Sequence, residues 1–294
     1  SFGMGIFRSA DRGGSWTSAN QGLTDPFVLC LTTGKDGAIY AGTFRGGVFR
    51  SRDGGKIWQP VNKGLKRLEI KALMMDAKGL YAGTGDGVYL LNAAQDQWKV
   101  VSTGLDEILV HALARTDDGT LYAGTSGKGV HSYKERSTGW TRLRQGLRDH
   151  EGLVENFIRV LAVDKEQGVY AGTFDGGVFR SGDAGKTWSP ISRALPNDSI
   201  RGLISNERGV YVATGRGIFK TVDKGRQWVP LNKGLSNLSV QVLIEGEKGG
   251  FYAGTSSGVF RSDDDGLTWT AVSQGLEGES VAPFKLNRVG KDTR

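Results

Sequence analysis

The seven tryptophans of this chain recur at a nearly constant interval. They stand at Trp16, Trp58, Trp98, Trp140, Trp188, Trp228 and Trp269, spaced 42, 40, 42, 48, 40 and 41 residues apart. The 294-residue length divided by seven is 42, so each repeat carries one Trp and one repeat carries an insertion. Two further markers keep the same period. Tyr-Ala-Gly-Thr begins at Tyr40, Tyr81, Tyr122, Tyr170 and Tyr252, with Tyr-Val-Ala-Thr at Tyr211. A Gly-Leu pair follows the Trp, as in Gly22-Leu23, Gly64-Leu65 and Gly275-Leu276, with Ala194-Leu195 as its variant in the fifth repeat. A period of this length means one supersecondary unit per repeat, stacked against its neighbours to share a core.

Each repeat has room for four short strands. Residues 27–32 are apolar and bulky and predict a buried inner strand, and residues 38–43 predict a second strand. The Ala-Gly pair of that second strand lets a neighbouring sheet approach closely. Residues 47–51 alternate apolar and polar, and residues 57–61 predict an outer strand that tolerates Pro60 at its edge. Gly and Asp clusters separate these segments, and no stretch has a helical period. Four strands per 40–50 residues predict an all-β chain, a single seven-bladed β-propeller of four-stranded antiparallel blades occupying residues 1–294. The 46 glycines fit so many tight turns. The residues from Phe2 to Arg8 align with Phe44–Arg50, and the tail Ser280–Asn287 aligns with inner strands such as Ser239–Gly246. The two ends are therefore expected to share one blade, although a recognisable second strand is missing from it.

Ser-x-Asp-x-Gly-x-x-Trp stands intact at Ser9/Asp11/Gly13/Trp16, Ser51/Asp53/Gly55/Trp58, Ser181/Asp183/Gly185/Trp188 and Ser262/Asp264/Gly266/Trp269. Thr221/Asp223/Gly225/Trp228 is a conservative variant, and the segments before Trp98 and Trp140 keep the Trp but lose the motif. This pattern resembles the Asp-box, or BNR repeat, family of β-propellers, and the resemblance covers nearly the whole chain. In character it is nearest to non-catalytic accessory members such as photosystem assembly factors. The box itself reads as a turn, with Asp and Ser bonding nearby backbone and Gly taking positive φ. The resemblance implies that ligands gather on the face made by the second-to-third strand loops and the blade connections, with the boxes on the opposite face. It also implies an extracytoplasmic location (periplasmic, lumenal or secreted).

Two rings are then candidates for contact. One register position of the inner strands reads Leu29, Lys71, His111, Arg159, Arg201, Gln241 and Ala282. Buried cations are costly unless solvated or paired, so this ring is expected at a wet funnel, either attracting an anion or pairing with acidic loop residues. The loops after the Tyr-Ala-Gly-Thr strands supply Arg45, Asp86, Lys128, Asp175, Arg216 and Ser257. The insertion at 148–155 adds length at one blade connection.

The family also contains hydrolases, so a sialidase-like or xyloglucanase-like glycoside hydrolase is the alternative. Arg45, Arg159, Arg201 and Arg216 are available for a carboxylate-binding triad, and Asp86 and Asp175 for an acid/base pair. Against this, the Arg-Ile-Pro motif of many sialidases is absent and the tyrosines are repeated strand residues. The favoured expectation is a non-catalytic scaffold that docks a partner protein or anionic ligand, with no catalytic residue, cofactor or metal site. His111, His131 and His150 lack metal-ligand spacing. The formal charge of +7 favours acidic partners, but no continuous basic stripe suggests nucleic acid. No apolar run of about 18 residues is present to span a membrane. The single Cys30 excludes an internal disulfide, and the oligomeric state is left open.

Overall fold

The computed structural model describes residues 3–92, 94, 96–101, 103–143, 145–147, 157–196, 199–246 and 249–276. Among these residues every element is a strand. Six antiparallel four-stranded sheets follow one another along the chain, each in simple up-and-down order. Their inner strands are Val28–Thr33, Ile70–Met75, Val110–Arg115, Ile158–Val163, Ile200–Asn206 and Val240–Glu245, which we use to number sheets 1 to 6. A two-stranded sheet, Phe7–Arg8 with Thr17–Ser18, precedes them. The expected strands of sheet 1 are found within one or two residues, as Val28–Thr33, Ile39–Thr43, Val48–Ser51 and Gln59–Pro60. Pro60, Pro190 and Pro230 each end an outermost strand, where no ladder partner is lost. The tail aligned with an inner strand, the register position Ala282, His150 and the insertion at 148–155 lie outside the described residues.

The inner strands of successive sheets pack side by side, so the sheets are arranged radially around an axis. Close packing there depends on the small residues of the Tyr-Ala-Gly-Thr strand. A Cβ on Gly172 would lie 2.6 Å from Ile200 Cγ2 of the next inner strand and 2.6 Å from Val160 Cγ1 of its own sheet. Sheet 5 carries Ala213 at that position, and the small residue moves across the ladder to its partner Gly202. The space needed is thus kept while the side that provides it changes.

The box behaves as a turn. Ser51 Oγ donates to Asp53 Oδ1 (2.7 Å) and accepts from the Gly55 amide (2.8 Å), while Asp53 Oδ1 accepts from the Ile57 amide (3.0 Å). The same set recurs at Ser9, Ser181, Thr221 and Ser262. Besides the box glycine, the preceding residue is also left-handed, even where it is Arg12, Ala184, Lys224 or Asp265. The dense hydrogen bonding offsets that strain of about 1–2 kcal/mol per non-glycine residue.

The Trp then joins one sheet to the one before it. The indole Nε1–H of Trp58, Trp98, Trp228 and Trp269 donates to the carbonyls of Ala19, Val61, Ile191 and Leu231 at 2.7–2.8 Å. Trp16 makes the same bond to Val272 O (2.7 Å), and its amide donates to Gln274 O (3.0 Å). Trp16 and Phe7 pack with Tyr252, Val259 and Leu276 of sheet 6, and Ile6 packs with Val28 and Trp58 of sheet 1. The two-stranded sheet therefore bridges sheets 6 and 1, and the run of contacts returns to its start. The described architecture is a β-propeller of six four-stranded blades plus this bridging pair of strands.

Candidate functional site

In each four-stranded sheet the ladder between the inner and second strands slips by one residue at the same place. The slips fall between Val28 and Cys30, Ile70 and Ala72, Val110 and Ala112, Ile158 and Val160, Ile200 and Gly202, and Val240 and Val242. The residue skipped each time is Leu29, Lys71, His111, Arg159, Arg201 or Gln241. A bulge leaves its residue outside the ladder and re-aims the side chain. The polar ring is thus carried by a backbone irregularity, with apolar neighbours such as Ile70, Val110 and Ile158 fully buried beside it.

The up-and-down order sets which end of the propeller these side chains occupy. The start of an inner strand, the loop between second and third strands and the blade connection share one end. The box turns between third and fourth strands take the other end. Both candidate rings therefore lie at the end opposite the boxes.

Two of the bulge residues reach from blade to blade. Arg159 Nη1 donates to Ser199 Oγ (3.2 Å), just before the next inner strand, and Arg201 Nη1 donates to Ser239 Oγ (3.0 Å) in the equivalent place. Gln241 Nε2 donates to Ser239 Oγ and Ser256 Oγ, both at 3.1 Å. Lys71 is neutralised by Glu69, with Nζ 3.0 Å from Oε1. His111 lies between Lys71 and Arg159. Burial first, and those two cations next, hold its pKa below the ordinary value, so it is neutral at pH 7. Burial and then the neighbouring Arg201 likewise lower the pKa of Arg159. Cations this close, none ion-paired to a described carboxylate except Lys71, give the mouth a positive potential.

The second ring divides. Arg45, Lys128, Asp175, Arg216 and Ser257 are exposed. Asp86 is turned inward instead: its oxygens accept from the Tyr89 hydroxyl (3.0 Å) and the Glu107 amide (3.3 Å), and Lys66 Nζ lies 3.7 Å away. Burial would raise its pKa, but these bonds prevail and hold it low. Asp25, not singled out above, organises the Arg45 loop. Its oxygens accept from the amides of Arg45 (2.6 Å), Gly46 (2.8 Å) and Phe27 (3.0 Å). The Asp25-Pro26 pair is the turn-initiating signal that marks it in the sequence.

Aromatic side chains flank the cations. Phe44, half-stacked by both Arg45 (5.2 Å) and Lys71 (5.4 Å), and Phe174, 4.6 Å beneath Arg159, are both exposed. Phe27 and Phe157 stand next to them, tied by the bonds from the Phe44 and Phe174 amides to their carbonyls. This end of the propeller therefore offers guanidinium groups, hydroxyls and apolar rings together.

The opposite end carries a series of ion pairs. Arg50 binds Asp96 through both guanidinium nitrogens (2.6 and 3.0 Å), Arg115 binds Asp76 (2.5 Å), Lys220 binds Asp265 (2.6 Å) and Lys165 pairs with Glu207. A cleft of about 910 Å³ opens there beside Tyr40, Tyr81 and Tyr133. No cluster of metal-ligating side chains occurs among the described residues.

Comparison with known proteins fits this geometry. The family model for the BNR-Asp box repeat matches residues 6–19. No curated protein matches the chain. Among solved structures, a GH74 enzyme of Niastella koreensis is 13% identical with a TM-score of 0.70, over 94% of this chain and 52% of that one. PorZ, a surface component of the type-IX secretion system of Porphyromonas gingivalis, is 17% identical with a TM-score of 0.63, over 88% of this chain and 34% of that one. YCF48 from Cyanidioschyzon merolae is 16% identical with a TM-score of 0.54, over 77% of each chain. The chain spans about half the length, or less, of several structures it matches. At such identities the likeness is one of fold. With its box turns, four-stranded blades and matched repeat, the chain is a β-propeller that carries the BNR-Asp box repeat.

Proposed function

We propose that residues 1–294 form one seven-bladed propeller that docks an acidic partner protein or anionic ligand at the end opposite its boxes, without catalysing a reaction. The bridging pair of strands, Phe7–Arg8 with Thr17–Ser18, is the part of the seventh blade that lies among the described residues. One observation carries the docking reading: Arg159 and Arg201 sit in bulges at the mouth with no described carboxylate within ion-pair distance, whereas the partly buried Arg50, Arg115 and Lys220 of the opposite end are each ion-paired. Lys71, His111, Gln241, Arg45, Lys128 and Arg216 extend the same surface, and the acidic Asp86 and Asp175 lie at its rim. Rigid blades fix these loops in advance, so binding costs little ordering entropy. The extracellular domains and the bacterial surface component among the similar folds favour an extracytoplasmic setting. Every described carboxylate with a shifted pKa, Asp86 included, is held low. A glycosidase acid needs the opposite shift.

The test is affinity capture from the native source at low salt, using the full chain and an Arg159→Glu/Arg201→Glu variant. A stoichiometric partner should elute with salt, and the variant should bind it about 30-fold or more weakly, as expected when buried charge contacts are reversed. Unchanged binding by the variant would remove the reading. Turnover of a glycan in a substrate panel would replace it with the hydrolase.

A further inference from the structure

The cations at the mouth are not distributed evenly. Lys71 is ion-paired with Glu69, whereas Arg159 and Arg201, on the adjoining inner strands of sheets 4 and 5, have no described carboxylate within ion-pair distance. Beyond Arg201 the surroundings are made of donors. Ser239 Oγ accepts from Arg201 at 3.0 Å and from Gln241 at 3.1 Å. A hydroxyl has two acceptor positions and one proton, so with both positions used Ser239 is left as a donor directed away from its partners. Ser256 accepts from the same Gln241 amide, which fixes that side chain with its nitrogen toward the two serines. Each guanidinium has five N–H groups, and toward the described residues Arg159 and Arg201 each donate through Nη1.

We infer that the arc of Arg159, Arg201, Ser239, Gln241 and Ser256 is a site for a tetrahedral oxyanion, a phosphate or sulfate group. This rests on the docking reading above and names its ligand chemistry. Two arguments select this class over a carboxylate. The first is charge: two guanidiniums with no ion pair among the described residues match a group carrying about −1.5 to −2, while a carboxylate would compensate only one of them. The second is valence: a carboxylate offers about four lone-pair sites in one plane. The arc presents guanidinium donors from two successive inner strands and the Ser239 and Ser256 hydroxyls of the next sheet, held in place by Gln241, a three-dimensional arrangement that suits oxygens disposed around a tetrahedral centre. The planar forks of the two arginines each suit bidentate contact with such a group.

The test is calorimetric titration of the full chain at low salt with inorganic phosphate, sulfate, acetate and a poly-glutamate peptide. Phosphate or sulfate should bind at least about tenfold more tightly than acetate, the value of one extra charge-assisted hydrogen bond. Arg159→Gln and Arg201→Gln should each weaken it by about tenfold or more, and Ser239→Ala by less. Arg12→Gln, whose partner Asp263 lies at the box end, should leave it unchanged and serves as the folding and charge control. Phosphate and sulfate binding no tighter than acetate, or insensitive to both arginine changes, overturns the inference. If poly-glutamate binds while both ions fail, this inference falls and the docking reading stands. If nothing binds, both fall.

Discussion

Replacing Gly64 by Ala tests how the blades are held together. Gly64 is exposed to solvent, so surface position alone predicts a harmless change. Its backbone has φ +96, and a Cβ there would lie 2.2 Å from the carbonyl oxygen of Trp98 in the next sheet, with that residue's backbone nitrogen at 3.3 Å. The left-handed conformation costs Ala about 1–2 kcal/mol. Relieving the overlap must also move the Trp98 backbone, whose amide donates to Lys63 O and whose indole donates to Val61 O (2.8 and 2.7 Å). Weakening these buried bonds adds about 1–3 kcal/mol. We therefore expect a loss of about 2–5 kcal/mol. At roughly 2.1 cal/mol/K per residue, unfolding a chain of this size carries about 0.6 kcal/mol/K, so Tm should fall by about 3–8 °C. Gly37→Ala is the matched control, because Gly37 has φ +77 and nothing within 4 Å of its Cβ position. It should lose only the conformational part, about 2–3 °C. Differential scanning calorimetry on both variants decides the matter. Equal losses would refute the claim that close approach of the neighbouring Trp, rather than backbone preference, demands glycine here.

Two further outcomes follow from the same contacts. Asp183 and Asp264 are held at about 2, below their ordinary 3.8, first by the Thr187 and Thr268 hydroxyls and then by the adjoining amides and box serines. A depressed folded pKa contributes stability above the unfolded value that disappears as pH falls, so melting temperature should drop between about pH 4 and pH 2. Thr268→Val should raise the Asp264 pKa in a carboxylate NMR titration; an unmoved titration would show that the hydroxyl does not stabilise the charged form. The Cys30 thiol faces Ile70 and Gly42, and burial pushes it up to about 12. It should ignore an aromatic disulfide reagent at pH 8 in the native protein and react fully in denaturant. Fast native labelling would contradict that enclosure.

Much of the architecture is legible in one-dimensional pattern because every blade solves the same packing problem with the same residues. The Trp-to-Trp interval, the Tyr-Ala-Gly-Thr strand and the box each stand for a local requirement: an anchor against the preceding sheet, space for the following one, and a hydrogen-bonded turn. Even the departure at Tyr211-Val212-Ala213-Thr214 is intelligible once Gly202 is seen across the ladder, since the pair, not either residue, supplies the space. The polar position within the apolar inner strands was legible as well, and with it Lys71, His111, Arg159, Arg201 and Gln241.

What that pattern leaves undecided depends on neighbours distant in sequence. A run such as Ile158-Arg159-Val160 reads the same whether or not the ladder slips at its centre, because a bulge is set by pairing with Gly172 and Thr173 on another strand. Whether a cation meets a carboxylate differs from bulge to bulge: Glu69, two residues away on the same strand approach, reaches Lys71, whereas Arg159 and Arg201 bond serines that the adjoining blade presents. Asp86 and Asp175 occupy equivalent loops, yet Tyr89 and the Glu107 amide draw only Asp86 inward. The sequence by itself determined the repeating β unit and the end of each blade where polar groups collect, because both arise from contacts within about 40 residues. Tertiary structure alone decided which side chains meet Arg159 and Arg201, because their partners Ser199 and Ser239 stand on the next blade and come into reach only when the ring assembles.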